Sequence, residues 1–122
     1  MSINLPFPPS KNALTSVRRV KSKKTGKWVY RKIKTARYGA WEKEAGWNIQ
    51  AYHTLHAVEG PYHLQIELVR PDNRKRDVGN YDEAIFDLLS THGITPDDSL
   101  AQSLMVRWSD AQDGPTVKVR AG

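Results

Sequence analysis

Apolar side chains recur along this chain at two spacings, and the places where one gives way to the other mark out the secondary structure. Tyr38, Trp41, Ala45, Ile49 and Tyr52 step by three and four, one face of a helix, and Thr35 is placed to cap its start. The spacing predicts a helix from residue 36 to about residue 57, with a second apolar stripe at Trp47, Ala51, Leu55 and Val58. A helix apolar on two sides has two surfaces to cover. From Tyr62 the period drops to two: Tyr62, Leu64, Ile66 and Leu68 alternate with His63, Gln65 and Glu67, as in a strand buried on one face.

The remaining elements are read from shorter signals. Residues 3–7 form a strand stopped by Pro8 and Pro9, which lack the ladder donor. Residues 17–21 and 28–34 pair as a hairpin across Lys23-Lys24-Thr25-Gly26, with Gly26 supplying the positive φ of a tight turn. Asn80 caps a second helix in a capping-box arrangement with Glu83, its buried side is Ala84, Ile85, Leu88 and Leu89, and Gly93 closes it. A strand through Leu104, Val106 and Trp108 then turns at Gly114-Pro115 into a last strand at Val117 and Val119, as a closing antiparallel hairpin. The class this predicts is α+β, a mixed β-sheet with about two helices, in a single domain over 1–122 without internal repeats.

Charge changes the picture. The chain carries a formal +6, and eleven of its nineteen basic residues fall between Lys11 and Arg37, before the first acidic residue at Glu42. A cationic stretch of this kind fits a DNA backbone, with Lys11, Arg18, Arg19, Lys23, Lys24 and Lys27 as candidate phosphate contacts. The bland alternative for each lysine is a solvated loop. Trp28 and Tyr30 lie in the same stretch and could stack on an unpaired base, or pack on a core. There is no cysteine, which excludes disulfides and thiolate metal sites. No apolar run spans a bilayer and no signal-peptide pattern is present, so a cytoplasmic protein with no membrane partner is expected. His53, His56 and His63 cluster without a metal-binding pattern and read as ordinary surface histidines.

Candidate chemistry is concentrated between Arg70 and Leu100. Arg70, Arg74, Lys75 and Arg76 stand there beside seven carboxylates, Asp72, Asp77, Asp82, Glu83, Asp87, Asp97 and Asp98. Carboxylate oxygens hold a hard cation such as Mg²⁺, and guanidinium groups grip phosphates, so the mixture suits a polyanionic substrate.

The same stretch resembles the RusA-type Holliday junction resolvases, a family of small dimeric endodeoxyribonucleases. The matching residues are Pro71-Asp72, the basic run Asn73-Arg74-Lys75-Arg76, Asp77-Val78-Gly79-Asn80, Phe86-Asp87-Leu88-Leu89 and Asp97-Asp98, with a second match at Leu5-Pro6-Phe7-Pro8-Pro9-Ser10-Lys11-Asn12. The resemblance implies phosphodiester hydrolysis at four-way DNA junctions by a homodimer using Mg²⁺, or Mn²⁺ in its place. It maps the catalytic metal ligands onto Asp77 and Asp98; from the residues themselves, Asp97 is a further candidate ligand, and Arg74, Lys75 and Arg76 either grip the phosphates beside the scissile bond or offset the carboxylate repulsion within the loop.

Two positions depart from the family pattern: Gly79 replaces an aspartate and Glu83 a lysine. The third carboxylate is therefore open among Asp97, Asp72, Glu83 and Asp87. Each has a structural role available instead: Glu83 in the capping box, Asp87 paired to a nearby arginine, Asp72 in a Pro-Asp turn. A junction-binding protein with reduced or lost cleavage is the alternative function, and a basic RNA-binding protein explains the charge but not the spaced aspartates.

Overall fold

A computed structural model describes residues 2–51, 57–110 and 117–122 of the chain. Its centre is a four-stranded mixed sheet built from β1 (Ser2–Leu5), β4 (Tyr62–Leu68), β5 (Ala101–Trp108) and β6 (Val117–Ala121), in the order β1-β6-β4-β5. A separate two-stranded sheet is formed by β2 (Thr15–Lys21) and β3 (Trp28–Lys34). Two helices, α1 (Ala36–Ala51) and α2 (Glu83–Thr91), complete the α+β architecture.

Strand β4 carries the predicted alternation, with Tyr62, Leu64, Ile66 and Leu68 fully buried and His63, Gln65 and Glu67 turned away from the core. The buried row meets Val117, Val119, Ile3 and Leu5 from neighbouring strands. Tyr38, Trp41, Ala45 and Ile49 of α1, and Ala84, Ile85, Leu88 and Leu89 of α2, belong to the same core. The other face of the sheet is polar, and Glu67 pairs there with Arg107 at 3.2 Å.

Helix α1 starts as its sequence signals. The Thr35 hydroxyl accepts from the Tyr38 amide at 3.2 Å and donates to the Ala13 carbonyl at 2.7 Å, so one side chain caps the helix and ties it to the preceding segment. Its second stripe is only partly covered: Val58 packs on the core, whereas Trp47 is 61% exposed. Tyr52, His53, Leu55 and His56 lie outside the described residues, and 57–59 are no longer helical. His63, the third histidine of the cluster, bonds through Nδ1 to Ser103 at 2.7 Å.

Three expectations are corrected. Strand β1 ends at Leu5 rather than at residue 7, because Pro6 already withholds the donor a ladder needs. Asn80 does not cap α2: Val78–Asn80 forms its own 3-10 turn, with the Asn80 amide on the Asp77 carbonyl, and the helix begins after Asp82. The last two strands do not form a hairpin. Helix α2 separates β4 from β5 and returns the chain parallel to β4, so β6 fills β4's other side, antiparallel to both β4 and β1. The Gly114-Pro115 turn lies outside the described residues. Gly93, at φ +68°, does end α2, with Ile94 donating back to the Leu89 carbonyl.

Candidate active site

An open cleft of about 470 Å³ lies where the segment after β4 meets the start of β5, lined by Lys11, Gly79, Asp82, Glu83, Phe86, Asp87 and Asp98. Separate stretches of sequence converge there. The proline-rich N-terminal segment delivers Lys11: Trp41 Nε1 donates to the Pro6 carbonyl at 3.0 Å and Asn48 to the Asn4 carbonyl at 3.1 Å, which fastens that segment to α1. The first turns of α2 supply Glu83 and Asp87, four residues apart on one helical face. The short turn Asp98–Leu100 supplies Asp98, held in place by Asp97, whose carboxylate accepts from the Ser99 amide at 3.1 Å.

The charges in the cleft oppose one another. Partial burial, then the carboxylates of Asp87 and Asp97, push the Asp98 carboxyl above the usual aspartate range. Asp87 is oriented by Tyr38, whose hydroxyl donates to its Oδ2 at 3.2 Å. Burial first, and then Asp87, push that hydroxyl's own pKa well up, so it remains a donor. The arginine expected beside Asp87 is a tyrosine. Behind the site the Tyr62 and Thr95 hydroxyls are both buried and interact with each other, and burial raises the Tyr62 pKa.

A second cleft, also about 470 Å³, is lined by Phe7, Pro8, Ser10, Arg37, Pro71, Arg74, Lys75, Arg76 and Tyr81. It adjoins the acidic cleft through the Tyr81–Asp82 step, and its floor is aromatic. Phe7 and Tyr81 have ring centroids 5.0 Å apart, Trp108 stacks on Phe7, and Arg70 lies 4.4 Å over the Trp108 ring. Within the basic loop the residues divide. Arg76 is bonded to both carboxylate oxygens of Asp72, one of them at 2.9 Å, and Asp72 also accepts from the Arg74 amide at 2.8 Å. These bonds hold the Asp72 carboxyl well below the usual range, so Asp72 organises the loop. Arg74 and Lys75 are left exposed to solvent.

The residues singled out from sequence are thus brought together in part. Asp98 lies in the acidic cleft with Glu83 and Asp87, freed from the capping and arginine-pairing roles considered for them. Asp77 is exposed, at the entry to the Val78–Asn80 turn, and it is Gly79 of that turn that lines the cleft. Asp97 caps its own turn. Lys11 lines the cleft, whereas Arg18, Arg19, Lys23, Lys24 and Lys27 belong to the β2–β3 hairpin or its turn. Sequence reasoning missed Tyr38 and Arg37. Tyr38 is a core residue by its spacing, and only the fold reveals that its hydroxyl reaches the site.

The donor set consists of carboxylate oxygens alone, which suits a hard divalent cation. Among the described residues no group of three or more His, Cys, Asp or Glu side chains is close enough to enclose an ion. The carboxylates of Asp82, Glu83, Asp87 and Asp98 share the walls of one cleft without closing around a single point.

Comparison with known proteins bears on the family of the whole chain. The family model for endodeoxyribonuclease RusA matches residues 6–121. A crossover junction endodeoxyribonuclease RusA from Aquifex aeolicus is 25% identical over 90 residues, covering 72% of this chain and 71% of that protein.

Proposed function

The chain belongs to the RusA endodeoxyribonuclease family, and from that premise we propose that it cuts four-way DNA junctions by divalent-metal-dependent phosphodiester hydrolysis. The observation that carries this reading is the pairing of an acidic cleft with a basic one along residues 70–87. One set of groups suits a cation at the scissile phosphate and the other suits the flanking phosphates. Asp98 is the proposed ligand within the cleft, Asp87 and Glu83 stand in for the carboxylate missing at Gly79, and Asp77, exposed at the entry to the Gly79 turn, is the ligand carried over from the family pattern alone. Mg²⁺ or Mn²⁺ bound here would activate the attacking water and offset charge on the phosphate oxygens.

The chain's own residues do the rest. Tyr38 fixes the rotamer of Asp87, Lys11 faces phosphate from across the cleft, and Arg74 and Lys75 hold the backbone on either side of the cut. Asp72 and Arg76 keep that loop in shape. A cation held by so few carboxylates would need DNA phosphate oxygens and water as further ligands, and would bind weakly to the free protein. The exposed Trp47 of α1 supports a homodimer joined through this helix, which would present two sites to a symmetric junction.

The test is a labelled four-way junction and a duplex of the same sequence, each incubated with Mg²⁺, Mn²⁺ or a chelator. Nicking of the junction only when a divalent ion is present supports the proposal. Junction binding without nicking under every condition would favour a binding protein that has lost cleavage at Gly79.

A further inference from the structure

The β2–β3 hairpin has two chemically distinct faces. Its register sets Val17 opposite Lys32, Arg19 opposite Tyr30 and Lys21 opposite Trp28, which places these six side chains on one side. The half-buried Val20, Val29 and Ile33 lie on the other. The half-buried side of the hairpin therefore does not include the aromatic residues: Trp28 is 57% exposed, Tyr30 75% and Val17 63%. The Arg19 guanidinium lies over the Trp28 ring, 4.9 Å from its centroid, backing one face of the indole, and no acidic residue occurs anywhere in the hairpin. Two solvent-facing aromatic rings among cations, with no anion of their own, are complementary to a nucleobase and its phosphate.

We propose that this face is a binding site for unpaired DNA bases, the strand segments that open at a branch point. Trp28 and Tyr30 stack on successive bases, Arg19 backs the Trp28 ring, and Lys21 and Lys32 take the adjoining phosphates. The site deepens the junction-cleaving reading and rests on the DNA part of it. It adds a preference that phosphate contacts alone cannot give: intact duplex offers no free base face, whereas an opened junction does.

Fluorescence anisotropy of a labelled oligo-dT strand, a duplex and a four-way junction tests this on the full chain, comparing wild type, a Trp28→Ala/Tyr30→Ala double variant and a Trp28→Tyr/Tyr30→Phe variant. The double alanine variant is expected to lose about tenfold or more in affinity for the single strand and the junction. Its duplex affinity should stay within about twofold, and the aromatic-preserving variant should restore the loss. Unchanged single-strand binding overturns the proposal, as does an equal loss on all three DNAs, which would mark the face as merely cationic or structural. A shift from dimer to monomer on sedimentation also overturns it, by assigning the face to a second copy. Nicking by wild type is read separately: a chain that never nicks but shows this ranking sinks the nuclease reading alone, and one that nicks without it sinks only the stacking site.

Discussion

At Asp98 the demands of folding and of the proposed cation site pull apart. Its carboxyl is raised above the ordinary range by partial burial and by Asp87 and Asp97, so folding disfavours the ionised form relative to the unfolded chain. The sign follows: this stabilising share is present at low pH and is lost as pH rises through the raised pKa. Asp98→Asn should therefore melt with wild type in acid and, near neutral pH, about 1–2 °C above it, the gain being small because the group is largely solvent-exposed. The same variant should not nick DNA. Differential scanning fluorimetry across pH checks the first half, and equal melting at pH 7 would show that the cleft charges do not interact. Tyr38→Phe is the complementary case, since it removes only the hydroxyl that orients Asp87. Chemical denaturation should show a loss of about 0.5–1.5 kcal/mol. Mn²⁺ titrated into the DNA-bound variant should bind about tenfold more weakly than in wild type, the usual effect of releasing a ligand's outer hydrogen-bond partner. Unchanged Mn²⁺ binding would confine Tyr38 to the core.

At the scale of elements, strands and helices with one clean apolar period were legible, and the pieces that build the site were less so. The alternation of β4, the helical face of α1, the β2–β3 pairing and the Gly93 terminator all read directly, because each is a local preference reinforced by the core. The capping of α2 was misassigned since Asp77-Val78-Gly79-Asn80 offers two ways to satisfy its amides, and the tighter 3-10 turn prevails. Strand partners were misread at the C-terminus because pairing order depends on the α2 crossover, a non-local fact. The Val78–Asn80 turn also yields a prediction. Gly79 is not in the left-handed region, and a Cβ there would meet nothing within 4 Å. Gly79→Asp should thus fold with a stability change within about 0.5 kcal/mol and place a new carboxylate in the cleft. Calorimetry should find tighter Mg²⁺ binding to the free variant than to wild type, and no change would mean that the turn points its side chain elsewhere.

Over the whole molecule, the acidic and basic clefts meet at Tyr81–Asp82, Lys11 and Asp98 reach the acidic one from separate stretches of chain, and the hairpin carries further cations. If the hairpin and the Arg74–Lys75 loop both engage phosphates, junction affinity should fall about 10³-fold or more between about 50 and 200 mM salt. A flat response would remove the hairpin from the interface. Trp47→Glu should convert a dimer into a monomer on analytical ultracentrifugation, since it sets a charge into the uncovered part of α1; a variant that stays dimeric would move the interface elsewhere. No helix among the described residues is long and apolar enough to cross a membrane.

Wild type, Asp77→Asn and Asp98→Asn can be set side by side on a labelled four-way junction with Mn²⁺, with cleavage and binding scored in the same samples. Paired nicks are expected from wild type, and junction binding without nicks from either variant. Nicking that survives both substitutions would contradict the proposed cation site at these carboxylates.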